Sequence, residues 1–437
     1  ILHGILNRQL EEEVDMSEAY TPPHDHAHEE AKGIRTTAQF ILTGLSGGHA
    51  VFHWFSQSFF VMLPEVVATF GLSGLQVGAV ATTREMVSGI IALPGGVVTD
   101  VLRRHWGSVL TACMALFGLG WLIMGIAPFY PILLLGMAIV AAAASMWHLP
   151  ATAALSHRFS HHRASALSLH GVGGNIGDVL GPALTGVLLL TLSWRGILSI
   201  YAAVPLFLAF VVFWAFRNIG HSENDDSRPA RFREQMANTK ESFKEHPRLW
   251  GIMTVAGLRG MANVAFLPFL ALYLGLDEEL GLGNASLGLH IALLVGVGVF
   301  ATPVTGYISD RFGRKLVLIP GLIGLSALTA LLIPFGEGIG LIIILAFLGT
   351  FLFSDQPILT AAALDVVGEK VAASTLGVFS FSRFALAAAS PLIAGQLFDA
   401  QGIEAAFLYI SGIYLVATIV LLAVPLAPSQ RAAGHHH

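Results

Sequence analysis

Two stretches of the sequence, GGVVTDVLRRHWG at residues 95–107 and GYISDRFGRKLV at residues 306–317, share one pattern. Each contains a glycine, an aspartate four positions later, and then basic residues. The residues concerned are Gly96, Asp100, Arg103 and Arg104 in the first stretch, and Gly306, Asp310, Arg311, Gly313, Arg314 and Lys315 in the second. A glycine lets two helices approach closely, an aspartate can accept from a neighbouring helix N-terminus, and arginines stay at a membrane surface. The repeat predicts two related halves, and the candidates for conformational gating in it are Gly96, Asp100, Arg104, Gly306, Asp310, Arg311 and Arg314.

The composition is typical of an integral membrane protein. Of the 437 residues, 54% are hydrophobic and 12% are charged, whereas a soluble domain carries about 25% charged residues. A single cysteine argues against a disulfide framework or a cysteine-based zinc site. The sequence has no G-x-x-x-x-G-K-[ST] loop and no nucleophile–base pattern. We therefore expect coupling to a proton gradient, with no enzyme activity, no cofactor and no nucleic-acid partner.

Twelve segments are predicted to be membrane-spanning helices. A spanning helix needs about 20 mostly apolar residues, and backbone in lipid must satisfy its own hydrogen bonds. The predicted spans are 37–63, 75–99, 107–127, 130–156, 164–191, 194–216, 249–275, 284–309, 315–335, 338–365, 371–397 and 403–427. This predicts an all-α membrane protein with two six-helix bundles. Its parts are a polar tail (1–36), the bundles 37–216 and 249–427 with a linker (217–248) between them, and a second tail (428–437) whose HHH indicates a purification-tag remnant.

The basic residues predict the orientation of the chain. If both termini are cytoplasmic, most of the 23 Lys and Arg residues fall in cytoplasmic segments, and Arg195 falls in an outer loop. This is the positive-inside bias of membrane proteins. Three further arginines, Arg84, Arg259 and Arg383, fall inside spans, near the depth at which transporters bind their substrates.

Twelve spans with this twice-repeated motif resemble the major facilitator superfamily, over about residues 37–427. The fifth span adds Gly177, Gly181, Pro182 and Gly186 in the pattern G-x-x-x-G-P-x-x-x-G. This pattern resembles the motif of antiporters in that family and implies a gating role, whereas generic glycine packing is the alternative.

Within the superfamily, the chain is most similar to the fosmidomycin-resistance group of bacterial efflux proteins. Three stretches carry the resemblance: GHAVFHWFSQSFFVMLPEV (48–66), WHLPATAALS (147–156) and GVGGNIGDVLGP (171–182). Two residues depart from it, because His53 replaces an expected aspartate and Arg84 an expected uncharged polar residue. The resemblance therefore implies proton-coupled efflux in a bacterial inner membrane, by a monomer, but does not name the substrate.

The arginines inside the spans are predicted to hold an anion. A charge at the bilayer centre costs about 2.5–3.5 kcal/mol, and arginine can bind a carboxylate, phosphate or phosphonate through two parallel hydrogen bonds. The alternative is internal pairing, of Asp355 with Arg383 and of Glu85 with an arginine on another helix. Glu85 is not expected to pair with Arg84, since adjacent helical residues point about 100° apart. The predicted substrate-binding residues are Arg84, Arg259, Arg383, Asn263, Asn175, His49 and His148.

Histidines and acids inside the spans are candidates for proton transfer, because histidine changes charge near neutral pH. The predicted carriers are His53, Glu85, Asp178 and Asp355, with His49 as a further candidate and His170 nearby in sequence. For each histidine, a hydrogen-bonded structural role is the alternative.

A metal site was weighed on the same residues. His49 and His53 share a helix face and could chelate an ion, and the tail carries His24, His26 and His28. Three buried arginines would repel a metal ion, so no metal site is predicted.

These observations predict a transporter that exports a small organic, anionic solute in exchange for protons, by alternating access. Uptake or exchange of an organic phosphate or carboxylate is the first alternative. A divalent-metal exporter and a non-transporting receptor or scaffold are the others.

Overall fold

The structure is a computed structural model that describes residues 34–160, 162–217, 219–220, 244–367, 384 and 386–426. The tail to residue 33, most of the linker, and the larger part of the predicted span 371–397, including Arg383, lie outside the described residues. Ile34–Thr36 form one 3₁₀ turn, in which Thr37 Oγ1 donates to the carbonyl of Ile34 at 2.7 Å. The chain from Ala38 onward forms a separate compact unit.

The described part of this unit consists of helices, with no strand. The helices are α1 (Ala38–Phe70), α2 (Gly74–Val101), α3 (Trp106–Gly125), α4 (Tyr130–Arg158), α5 (Arg163–Leu188), α6 (Trp194–Phe216), α7 (Arg248–Gly275), α8 (Asn284–Phe312), α9 (Arg314–Phe335), α10 (Gly338–Leu352), α11 (Asp355–Val367), α12 (Ser390–Gln401) and α13 (Ile403–Ala423). A 3₁₀ turn, Arg103–His105, connects α2 to α3. The predicted all-α class is confirmed.

Eight helical segments in the described residues are long and apolar enough to cross a membrane. They are α3 with its preceding turn, α4, α6, α7, α8, α9, α10 together with α11, and α13. The long helices α1, α2 and α5 are less apolar, because they carry His49, His53, His170, Arg84, Glu85 and Asp178. A total of twelve spans stays a prediction.

The predicted span 338–365 differs from the structure, which ends α10 at Leu352 and begins α11 at Asp355. Pro357 has no N–H, so it cannot donate to the carbonyl of Phe353 four residues earlier. The carbonyl of Leu352 instead accepts from the guanidinium of Arg259 on α7, at 2.5 Å. The break in the helix therefore places backbone polar groups where a neighbouring helix can use them.

Helix packing repeats between the halves. In the first half α1 packs on α5, α2 on α4, and α3 on both α4 and α6; in the second, α8 packs on α10, and α7 and α9 pack on α13. The most extensive contacts between the halves are those of α5 with α8 and of α2 with α12, and smaller ones join α7 to α1 and to α2. The glycines of the fifth predicted span permit some of this packing, since a Cβ added at Gly177 would lie 2.2 Å from the carbonyl oxygen of Ala50.

The two motif stretches are only partly as predicted. A Cβ added at Gly96 or Gly306 would meet nothing within 4 Å, so neither glycine serves a close helix approach in this conformation. In the second stretch Arg314, the first residue of α9, pairs with Asp310 and also with Asp365 at 3.1 Å. Gly313 separates α8 from α9 with a φ of 104°, a left-handed conformation that favours glycine. In the first stretch, Arg103 contacts His157 at 3.2 Å and Arg104 is exposed.

Polar contacts between the halves lie at the N-terminal ends of α2 and α8, away from the motif stretches. The carboxylate of Asp399 on α12 accepts from the backbone N–H of Gly74 at 2.5 Å and of Leu75 at 2.9 Å. Asn284 Nδ2, at the start of α8, donates to Glu65 Oε1 on α1 at 3.0 Å. Farther along α2, Thr82 Oγ1 donates to the carbonyl of Ala388 at 2.6 Å.

Because α5 approaches α1 closely at Gly177, adding one methyl group there should destabilise the protein. Gly177→Ala should lower the free energy of unfolding by about 1–3 kcal/mol, the usual cost of overpacking, because backbone atoms of α1 occupy the space. Gly171→Ala, on the same helix with open space around its Cβ position, is the matched control and should be neutral or slightly stabilising. Thermal unfolding in detergent measures both, and equal melting temperatures would contradict the packing argument.

Candidate functional site

A central cavity of about 480 Å³ lies between residues of both halves. This volume is within the range of about 300–1,000 Å³ that is usual for small-molecule sites. Its apolar wall includes Phe52, Phe59, Phe60, Leu63, Trp121 and Leu267. Its polar wall comprises His53, Ser56, Gln57, Arg84, Glu85, Ser88, Ser145, His148, Asp178 and Asn263. Among the described residues, every charged group of this wall comes from the first half.

Arg84 and Glu85 both line this cavity, from the middle of α2. The guanidinium carbon of Arg84 lies 5.6 Å from the centre of the Phe60 ring, within the range of a cation–π contact. In the part of the chain that the structure describes, neither residue forms an ion pair. Although adjacent helical residues point about 100° apart, the cavity reaches both side chains.

Arg259 occupies a different environment. Both Arg259 and Asp355 are about 3% exposed, and Arg259 Nη2 lies 2.6 Å from Asp355 Oδ1. Arg259 Nη1 also donates to Gln356 Oε1 at 2.7 Å, in addition to the bond to Leu352. Arg259 is not part of the cavity wall. The structure therefore gives Arg259 an internal ion pair with Asp355 in place of the predicted substrate contact. The alternative pairing of Asp355 with Arg383 concerns a residue outside the described part of the chain.

Four histidines from three helices form one cluster, which we call the histidine cluster: His49 and His53 of α1, His148 of α4 and His170 of α5. The ring of His49 stacks on that of His170 with centroids 4.2 Å apart, and it lies 4.4 Å from the ring of His53 and 4.9 Å from that of His148. His49 Nδ1 lies 2.8 Å from the carbonyl oxygen of His170. His53 Nδ1 lies 2.9 Å from Asp178 Oδ1.

Comparison with known proteins decides the family. A model of the Major Facilitator Superfamily matches residues 45–391 and 274–436. The chain belongs to this superfamily. It is accordingly a multi-pass membrane transporter for small molecules and not an enzyme.

Relatives within the superfamily are distant and varied. The fosmidomycin resistance protein of Escherichia coli is 22% identical over 370 residues, which cover 83% of this chain and 87% of that protein. A probable hexose phosphate transport protein of Chlamydia trachomatis is 23% identical over 424 residues, covering 89% and 91%. The crystal structure of the nucleoside transporter NupG matches with a TM-score of 0.75 at 13% identity, over 88% of this chain and 98% of that one. The predicted superfamily and the resemblance to the fosmidomycin-resistance group are confirmed.

Some of the predicted site residues line the cavity, and others do not. Arg84, Glu85, His53, His148, Asp178 and Asn263 line it, and His49 lies next to it in the histidine cluster. Asn175 is exposed and is absent from the cavity wall, although its neighbours on α5 belong to the site. Arg383 lies outside the described residues.

Several cavity residues were missed by the sequence analysis. Gln57 follows His49 and His53 at the same four-residue spacing, so helical periodicity could have identified it. Phe60 beneath Arg84 and Ser145 opposite Ser88, to whose carbonyl it donates at 3.0 Å, come from other helices and carry no such signal.

The Arg259–Asp355 pair should be a strong structural element of this facilitator. Asp355→Leu leaves a buried guanidinium without a counter-charge and should cost about 3–5 kcal/mol of stability. The double change Asp355→Leu with Arg259→Met should recover most of that loss, because neither charge remains. Asp365→Asn, which changes a half-exposed carboxylate paired with Arg314, is the control and should cost less than about 1 kcal/mol. Melting temperatures in detergent measure the relative stabilities of the three variants. A double variant no more stable than Asp355→Leu would refute the structural role of the pair.

Proposed function

We propose that this facilitator exports a small organic anion in exchange for protons, across a bacterial inner membrane and by alternating access. In this proposal it works as a monomer with twelve spans in two six-helix bundles and with both termini in the cytoplasm. The observation that carries the proposal is Arg84, a guanidinium on the wall of the central cavity with no carboxylate partner among the described residues.

Energetics favour an anionic solute at this position. An arginine in the middle of a membrane-spanning helix costs several kcal/mol unless it is hydrated or neutralised. Arg259 meets that cost with a protein carboxylate, whereas Arg84 faces a cavity that a solute can enter. The aromatic rings of Phe59, Phe60 and Trp121 line the same space, which suits a solute with an apolar body and an acidic group.

Glu85 supplies the proposed coupling to protons. It lines the cavity beside Arg84, and a carboxylate there can hold either a proton or a hydrogen-bond donor of the solute, but not both at one oxygen. A solute with an acidic group for Arg84 and a hydroxyl or amine for Glu85 would displace the proton, as antiport requires. His53 and Asp178 remain further proposed carriers, while Asp355 is held by Arg259.

Uptake or exchange of an organic phosphate is the second candidate. The similarity to a probable hexose phosphate transport protein favours it, and Arg84 would bind a phosphate equally well. The two candidates differ in the direction of proton movement relative to the solute.

Arg84 gives the first functional prediction. Arg84→Gln should weaken the binding of organic anions about 10- to 100-fold, the effect of losing one charge-assisted contact of about 1.5–3 kcal/mol. Arg84→Lys should retain part of the affinity, and Arg195→Gln, an arginine outside the cavity, should retain all of it. A thermal-shift screen with phosphonates, carboxylates and sugar phosphates identifies ligands and compares the variants. Ligands that stabilise the wild type and Arg84→Gln equally would show that Arg84 is not a substrate contact.

The second functional prediction concerns proton coupling by Glu85. In vesicles with a pH-sensitive dye, adding solute should drive protons in the opposite direction, and Glu85→Gln should abolish this flux while preserving solute counterflow. The amide keeps the size of the side chain and its hydrogen bonds but cannot exchange a proton. Met86→Gln, an exposed neighbour on α2, should leave both measurements unchanged. Proton movement in the same direction as the solute would favour the phosphate-uptake candidate, and wild-type coupling in Glu85→Gln would exclude Glu85 as the carrier.

A further inference from the structure

The ring nitrogens of the histidine cluster converge more closely than solvation or packing of the side chains requires. Potential ligand nitrogens of His49, His53 and His148 all lie within 4.8 Å of one another. Three neutral imidazoles converging from two helices form a donor set that zinc, cobalt and nickel prefer, whereas magnesium and calcium prefer oxygen. We infer that His49, His53 and His148 bind a divalent transition-metal ion of the zinc class, which goes beyond the proposed function.

Hydrogen bonds around the cluster orient two of the three rings as metal ligands. The Nδ1 atom of His49 lies against the carbonyl oxygen of His170, and the Nδ1 atom of His53 lies against the carboxylate of Asp178. In metal sites a ligating histidine donates its other N–H to a carbonyl or carboxylate, which fixes the tautomer. With Nδ1 donating in both rings, each Nε2 keeps its lone pair for an ion.

The distances require only a modest contraction. Zinc–nitrogen bonds of about 2.0–2.1 Å in a tetrahedral arrangement place the nitrogens about 3.3 Å apart. Because the nitrogens lie within 4.8 Å of one another, the widest pair must close by at most about 1.5 Å. Three protein ligands leave a fourth position, and His53 and His148 line the cavity, so a cavity water or a solute group can complete the site.

His170 supplies an independent observation. It is 3% exposed, and neither ring nitrogen has a hydrogen-bond partner among the described residues. Buried polar atoms of this kind are uncommon in native structures and commonly mark an ordered water or an ion. Its ring stacks directly on His49, which places these atoms beside the inferred ligands.

The charges around the histidine cluster oppose a bound metal cation less strongly than the sequence predicts. Of the three arginines predicted at this depth, Arg259 is neutralised by Asp355. Asp178 contacts His53 directly, and Glu85 lines the same cavity, so both carboxylates offset the charge of Arg84 and of a bound ion.

The test is metal binding by the full chain in detergent, with zinc or cobalt chloride and no organic solute. Micromolar zinc should raise the melting temperature of the wild type by several degrees, and this shift should disappear in His148→Asn and in His53→Asn. Asp178→Ala, which removes the acceptor that orients His53, should weaken zinc affinity about 10- to 100-fold. His290→Asn is the matched control, because that histidine on α8 contacts the carbonyl of Ser286 in its own turn at 2.7 Å.

Cobalt gives a second readout that does not depend on stability. Tetrahedral cobalt with imidazole ligands absorbs visible light strongly, whereas cobalt on histidines of the polar tails is hydrated and absorbs weakly. The wild type and His290→Asn should show the strong band, and His148→Asn should lose it. Equal zinc stabilisation and equal cobalt spectra in the wild type and His148→Asn would overturn the inference. Because no solute is present, the result is independent of whether Arg84 binds an anion.

Discussion

The need to neutralise charge inside an apolar layer determines much of this structure. Asp355 meets that need for Arg259, and the two residues are almost completely buried. The same guanidinium takes the carbonyl of Leu352, so the pair also fixes the point at which α10 ends and α11 begins. Among the described residues of the second half, Asn263 and mainly apolar groups line the cavity. The described charged groups of the cavity wall, Arg84 and its neighbours, come from the first half.

This division of roles explains why α1, α2 and α5 differ from the other long helices. Their histidines, Arg84, Glu85 and Asp178 lower their hydropathy, and these side chains turn inward to the cavity or to one another. Such helices are stable in a membrane only when they are packed against partners, and α1 and α5 are accordingly in close backbone contact at Gly177. The same helices thus carry both the polar side chains of the site and the glycine that permits close packing.

Much of the fold could be predicted from the sequence, because a membrane imposes long apolar helices and an asymmetric distribution of basic residues. The break before Asp355 was also readable, since Pro357 removes a helical donor.

The site was less predictable. Arg84 and Arg259 lie at similar depth, but depth does not determine which way a side chain points, so sequence could not distinguish the cavity residue from the paired one. The histidine cluster depends on the convergence of α1, α4 and α5, and one sequence reveals only the pair His49 and His53. Gly96 and Gly306 show the converse error, because their repeated pattern indicated a close helix contact that this conformation lacks.

The start of α2 is capped from both halves. Ser73 Oγ accepts from the N–H of Gln76 at 3.3 Å, and Asp399 of α12 accepts from the N–H groups of Gly74 and Leu75. Helix N-terminal N–H groups must be satisfied, and a capping side chain contributes about 0.5–2 kcal/mol. In the proposed alternating access, separation of the halves at this end would require water to replace the carboxylate at Gly74 and Leu75. The proposed equilibrium between closed and open forms would then include the exchange of a protein cap for a hydrated helix end, a term worth a factor of about 2 to 30 in population. Asp399, remote from the cavity, would bias that equilibrium without changing what the cavity binds.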